Sequence, residues 1–200
     1  MLKMTLKKIC SLLALSVLLV LAACQPKPAA PVFDNTDVTG ANYARDFALT
    51  DQNGKPRTLA DFKGKVVLMF FGYTQCPDVC PTTMAELAGL MQKLGPRADQ
   101  VQVLFVTVDP QRDTQKLLAE YVPAFDKRFL GLRGDAAATA KVAKEFKVYY
   151  AQVEGQTDAS YTVDHTAGIY VFDRDGKIRL MLRDAHDSAA VLHDLNILLK

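Results

Sequence analysis

The chain is poor in cysteine: its 200 residues carry four, at positions 10, 24, 76 and 80. A chain of this length can bury a full single-domain core without cross-links, so a scaffold built on disulfides is excluded. Charge of one sign is lacking as well. The formal net charge is +2, and removing Lys3, Lys7 and Lys8 with an N-terminal segment that contains no acid brings it to −1. Such a balance offers no electrostatic footprint for nucleic acid. The longest apolar run, Ile9 to Leu21, falls short of the ~20 residues a spanning helix needs. There is no internal repeat, which leaves one domain as the natural organisation.

What is present starts at the N-terminus. The three lysines precede the Leu-rich run, and the small residues Ala22 and Ala23 follow it, so residues 1–23 read as an export signal. Leu21-Ala22-Ala23-Cys24 resembles a bacterial lipobox, in which Cys24 is diacylated and becomes the first mature residue. The expectation is a protein of the bacterial cell envelope. It is held on a membrane by that lipid, with its domain on the periplasmic or other extracytoplasmic side. Gln25, rather than Asp, after the cysteine is a hint of outer-membrane sorting in a Gram-negative cell. Residues 24–45, with Pro26, Pro28 and Pro31 and no apolar period, read as a flexible tether to a domain over 46–200.

Cys10 is then discarded and Cys24 is capped, which leaves Cys76 and Cys80 of GYTQCPDVCP (72–81) as the thiols of the mature chain. In an oxidising compartment two such cysteines pair by default. A disulfide closing so short a loop removes little chain entropy, so a structural staple explains the pair poorly. Redox chemistry or metal binding explains it better.

From Asp46 onward, strand and helix patterns alternate. Asn53-Gly54 marks a hairpin between Phe47-Ala48-Leu49 and Thr58-Leu59. Lys65 to Tyr73 and Val101 to Val108 are continuous apolar runs of strand length, as expected for strands buried on both faces. Helical spacing runs from Pro81 to Leu94, from Thr114 to about Tyr121 with Pro123 ending or kinking it, from Asp135 to about Phe146, and from Ser188 to Leu199. Phe129 to Leu132 is a short strand, and Val148 to Val153 a strand or extended loop. Ile169 to Phe172 and Lys177 to Leu182 form a hairpin across Asp175-Gly176. The order predicts a thioredoxin-like α/β fold, a central mixed sheet flanked by helices with an N-terminal hairpin. The cysteine turn then lies at the carboxyl end of the sheet, where sites of open α/β sheets occur.

Pro81 lacks an N–H and suits the first position of a helix, which predicts a helix start there, with Cys76 to Cys80 in the loop leading into it. A helix N-terminus favours anionic sulfur and lowers thiol pKa. Residues four apart lie on one face of a helical turn, so the two sulfurs can close on a metal ion or on each other. The chain has three histidines. His186 and His193 read as solvated residues at and within the last helix, whereas His165 lies in a loop expected to approach the cysteines. Two thiolates and one imidazole are a soft, three-donor set suited to copper, Cu(I) or Cu(II). Structural zinc takes four ligands, and no fourth is evident.

GYTQCPDVCPTTMAEL, VTVDPQRDT at 106–114 and YTVDHTAGIYVFDRDG at 161–176 together resemble the Sco/SenC family of copper-binding, thioredoxin-like proteins. The resemblance covers nearly all of Asp46 to Lys200. It implies that Cys76, Cys80 and His165 bind copper. It also implies a role in delivering copper to, or reducing cysteines of, the binuclear copper centre in subunit II of cytochrome c oxidase or another cuproprotein. Many relatives have a transmembrane helix where this chain has a lipobox. Asp164 is expected to orient His165, because metal-bound imidazoles donate their other N–H to an acceptor. Asp78 is expected either to cap the following helix or to raise the thiol pKa. Asp109 and Arg112 are expected to fix a strand-to-helix turn by capping and pairing. Two activities remain open: a copper metallochaperone, and a thiol–disulfide reductase using Cys76 and Cys80 as a redox pair.

Overall fold

Two continuous apolar runs organise the molecule, described over residues 31–155 and 160–200 in this computed structural model. The signal segment, Cys10 and Cys24 lie outside the described residues. The strands and helices in chain order are β1 Thr36–Asp37, β2 Leu49–Asp51, β3 Pro56–Arg57, β4 Val66–Gly72, α1 Val79–Leu94, β5 Val101–Thr107, α2 Gln115–Phe125, β6 Leu130–Arg133, α3 Ala136–Phe146, β7 Tyr150–Val153, β8 Thr162–His165, β9 Ile169–Phe172, β10 Ile178–Leu182 and α4 Ser188–Leu198. Every residue of β4 and β5 is buried. They pair in parallel from Val66 opposite Val101 to Gly72 opposite Thr107. A strand with no polar face can be satisfied only where both faces are covered.

The main sheet has eight strands in the order β1-β10-β9-β4-β5-β6-β2-β3, with β4, β5 and β6 parallel and the remaining pairs antiparallel. This is the mixed sheet of a thioredoxin-like fold. Alternation along β4 assigns its two sides. Phe70 packs on Phe105, which packs on Tyr121 of α2, and the open side of Gly72 faces Cys80 of α1. Phe71 points the other way, against Phe146 of α3 and Tyr170 of β9. The hairpin expected at Asn53-Gly54 forms as β2 and β3, with Gly54 at φ +80°. The fully buried Asp51 carboxylate ties it together, accepting from the Asn53 and Lys55 amides and from the Arg57 guanidinium.

Several boundaries differ from expectation. The tether drawn to residue 45 is too long, because Phe33 to Lys200 forms one compact unit. Phe33, Val38 and Tyr43 pack on the core, Ala44 is buried, and β1 pairs with β10. The carboxylate of Asp194 accepts from the Asp34 and Asn35 amides and the Asn35 side chain. Helix α1 starts at Val79, placing Pro81 at its third position, where the missing N–H would have had no helical partner in any case. Helix α2 continues through Pro123 to Phe125. Val148 to Val153 contributes β7, which pairs with β8 in a separate two-stranded sheet, so His165 ends a strand rather than lying in a loop. Among the described residues no helix is long and apolar enough to cross a membrane.

Candidate metal centre

Cys76 lies in the loop after β4, half-buried, and Cys80 on the first turn of α1, fully buried. His165 arrives from β8, eighty-five residues further along, with Nε2 3.4 Å from the Cys80 Sγ. The ligand atoms of these three residues all lie within 4.8 Å of one another. The expected trio is thus brought together, with no carboxylate among its ligand atoms. Such a soft sulfur and nitrogen set matches copper or zinc and not a hard cation.

The sulfur of Cys76 accepts the Cys80 amide at 3.5 Å, which makes the thiol itself the acceptor at the helix start. Asp78 occupies the N-cap position with an exposed side chain that makes no capping bond. The expected lowering of thiol pKa by the helix end does not prevail at Cys80. Burial pushes that thiol far above the ordinary range, and the neighbouring Cys76 and Asp113 add to the effect.

His165 is held below its ordinary pKa, chiefly by burial, against the opposing influence of the Thr166 carbonyl and the Asp164 charge. Its Nδ1 lies 3.0 Å from the Thr166 carbonyl oxygen. A carbonyl only accepts, so Nδ1 carries the proton and Nε2 presents its lone pair to the sulfurs. The partner is therefore Thr166 and not Asp164. The pleat explains the difference: along β8 the inward residues are Val163 and His165, while Asp164 points outward and is exposed. Its contribution is a nearby negative charge.

Asp109 and Arg112 pair as expected, but the cap of α2 is Thr114. Their other contacts reach the β8 entrance: the Tyr161 hydroxyl donates to Asp109 at 2.8 Å, and Arg112 donates to the Tyr161 carbonyl at 2.7 Å. Three further residues escaped the sequence reading. Gly72 has space for hydrogen only, since a Cβ there would lie 2.9 Å from the Cys80 sulfur. A glycine ending an apolar strand run is the signal that would have found it. Asp113, fully buried, accepts the Thr74 amide at 3.1 Å and the Thr107 hydroxyl at 2.6 Å, anchoring the cysteine loop to the end of β5. Tyr73 sets its ring edge-on to the His165 imidazole, centroids 6.0 Å apart.

The other two histidines lie elsewhere, exposed as expected and each beside a carboxylate. His186 pairs with Glu86, and His193 lies 3.1 Å from both Asp34 and Asp194. The Asp34, His193 and Asp194 donors also fall within 4.8 Å of one another. Asp194 is already committed there to the three donors from Asp34 and Asn35.

The SCO1/SenC family model matches residues 35–200. The bovine mitochondrial protein SCO2 homolog is 44% identical over 133 residues, 66% of this chain and 50% of that protein. The chain thus spans about half the length of the curated mitochondrial relatives it matches. Among solved structures, Bradyrhizobium japonicum ScoI with copper bound is 44% identical with a TM-score of 0.68, covering 74% of this chain and 96% of that one. Apo Sco1 from Thermus thermophilus is 40% identical with a TM-score of 0.75, covering 86% and 99%.

Proposed function

The chain belongs to the SCO1/SenC family, and we propose that it is a copper metallochaperone for cytochrome c oxidase assembly, holding one copper between Cys76, Cys80 and His165. The observation that carries the reading is the convergence of two thiols and one neutral imidazole within 4.8 Å. That ScoI from Bradyrhizobium japonicum was solved with copper bound supports the choice of metal. Zinc fits less well, because no fourth ligand joins the group among the described residues.

The residues divide the work. His165 arrives neutral and in the required tautomer, so it binds without losing a proton. Cys80, kept protonated by burial, must release one, which couples loading to pH. Cys76 is the more exposed sulfur and lies at the approach of a partner. Copper leaves by ligand exchange, a client thiolate or imidazole entering as Cys76 lets go. The client we assign is the binuclear copper centre in subunit II of the oxidase or a similar cuproprotein site. The domain is tethered to an envelope membrane through lipid on Cys24.

The accessibility of Cys76 also supports a second reading, thiol–disulfide reduction. There the Cys76 thiolate attacks a client disulfide and forms a mixed disulfide. Cys80 then displaces the reduced client, leaving Cys76 and Cys80 joined.

His165→Ala separates the two. Loss of a direct ligand should lower copper affinity by more than the roughly 10 to 100-fold typical of changes in residues behind the ligands. The fall should be larger for Cu(II), which favours nitrogen, while the dithiol reduction potential stays near that of the parent. Oxidase activity in cells carrying the variant should be lost. Weakened copper binding with intact oxidase assembly would replace the chaperone reading by the reductase one.

A further inference from the structure

The hairpin that delivers His165 stands apart from the main sheet. Its strands β7 and β8 pair with each other in a sheet of their own. Between it and the domain lies a cavity of about 400 Å3, lined by Val108, Pro110 and Gln111, by Thr139 of α3, and by Ala151 and Gln152 of the hairpin. Packing on that side therefore leaves the hairpin poorly supported, although the imidazole must meet two sulfurs in a defined place.

Support comes instead through one guanidinium, whose partner Asp109 stands at the wall of that cavity. The Arg112 guanidinium lies over the Tyr161 ring, 3.5 Å from its centroid, and 5.5 Å from the centroid of the Tyr73 ring. It donates to the Tyr161 carbonyl and, at 3.4 Å, to Gln75 in the cysteine loop. Asp109 holds Arg112 by an ion pair and accepts the Tyr161 hydroxyl. The Tyr73 ring meets the His165 imidazole edge-on. One planar cation thus touches the cysteine loop, the strand entering His165 and the ring against which His165 rests.

We propose that Arg112, held by Asp109 and stacked on Tyr161, is the positioning residue that fixes the β7–β8 hairpin, and with it His165, against the cysteine loop. The inference rests on the copper reading above in assigning His165 as a ligand. Its consequence is selective. Cys76 and Cys80 sit on the other partner of the clasp, anchored by Asp113, so loosening the hairpin removes the nitrogen donor and leaves the two sulfurs in place. Cu(II), which needs the imidazole, should suffer more than Cu(I), which tolerates two thiolates alone.

The test compares Arg112→Gln and the milder Tyr161→Phe with the parent. In the reduced, metal-free protein, nuclear Overhauser contacts between the His165 ring and the Tyr73 and Phe70 rings should be present in the parent and lost or weakened in the variants. On titration with copper alone, Cu(II) affinity should fall about 10 to 100-fold, the range for residues that orient ligands. The nitrogen hyperfine signal should fade, with a smaller fall in Cu(I) affinity and an unchanged dithiol potential. A purely stabilising role would lower the melting temperature without altering the ratio of Cu(II) to Cu(I) affinity. Unchanged ring contacts and an unchanged ratio in both variants would overturn the proposal, and if Arg112→Gln does not fold, Tyr161→Phe decides. A parent that shows no nitrogen-ligated copper would refute the copper reading instead, and the ring contacts would still judge the clasp.

Discussion

Replacing Gly72 by alanine should disturb the site through one methyl group. The backbone there does not have a positive φ, so the chain conformation accepts alanine and the effect is steric. The added Cβ would meet the Cys80 sulfur and Phe105 Cε2, each at 2.9 Å, and Phe70 Cε1 at 3.1 Å. Carbon contacts are most favourable at about 3.5 to 4.0 Å, so each neighbour must retreat by several tenths of an ångström. Phe105 is backed by Phe70 and Tyr121, and Cys80 is fully buried on α1, so neither has free space behind it. Overpacking of this kind costs about 1 to 3 kcal/mol. For a domain of this size that lowers the melting temperature by about 2 to 12 °C. The displaced sulfur should also weaken copper binding. Gly89→Ala is the control: a Cβ there meets nothing within 4 Å, and the site is inside α1. Alanine at that position should stabilise by about 0.5 to 1 kcal/mol. Thermal unfolding of the reduced protein and a competition titration with Cu(I) measure both effects. A Gly72→Ala protein with parental melting temperature and copper affinity would show that the Cys80 sulfur does not lie against that glycine.

Asp113→Ala leaves the Thr74 amide and two threonine hydroxyls without their acceptor. At about 1 to 3 kcal/mol per orphaned buried group, the loss should be at least about 2 kcal/mol, or about 4 to 8 °C in melting temperature; an unchanged value would refute the anchoring role. Asp194 should confer acid sensitivity. Burial acts to raise its pKa, but the Asp34 and Asn35 donors outweigh it and hold the group below 3.8. Its stabilising effect is therefore present above that value and is lost as the pH falls below it. Asp194→Asn should flatten the fall in stability as the pH drops below about 3.8, and should speed amide exchange in residues 34–45 at neutral pH through easier local opening. Parental slope and exchange in the variant would count against it. Cys24→Ser should leave a folded domain that is unprocessed or mislocalised, as read by fractionation and by mass spectrometry of the N-terminal peptide. Membrane retention equal to the parent, with no lipid on the parent, would refute the anchor.

Local pattern alone determined much of this protein. Seven consecutive buried residues in each of two strands required a sheet covered on both faces, and the Asn53-Gly54 turn gave its hairpin. The spacing of Cys76 and Cys80, with one histidine near a strand, supplied the donor set that converges in space. The strands, the turn and the cysteine pair are encoded in residues that are near one another along the chain, where periodicity and turn chemistry act, whereas His165 joins them from eighty-five residues away. The tertiary structure decided what depends on distant approach. Asp194 gathers the amides of residues about 160 positions away, which turns the end of an expected tether into part of the domain. Burial of Cys80 overrides the helix end that would have made it acidic, because desolvation is set by everything packed around a group and not by its own turn. The outward pleat of β8 removes Asp164 from His165 and leaves the Thr166 carbonyl to set the tautomer. Arg112 reads as part of a local turn in sequence, yet its guanidinium bridges to Tyr161 across forty-nine residues. No period in the chain records that contact, since only the tertiary fold brings the end of β5 near the entrance of β8.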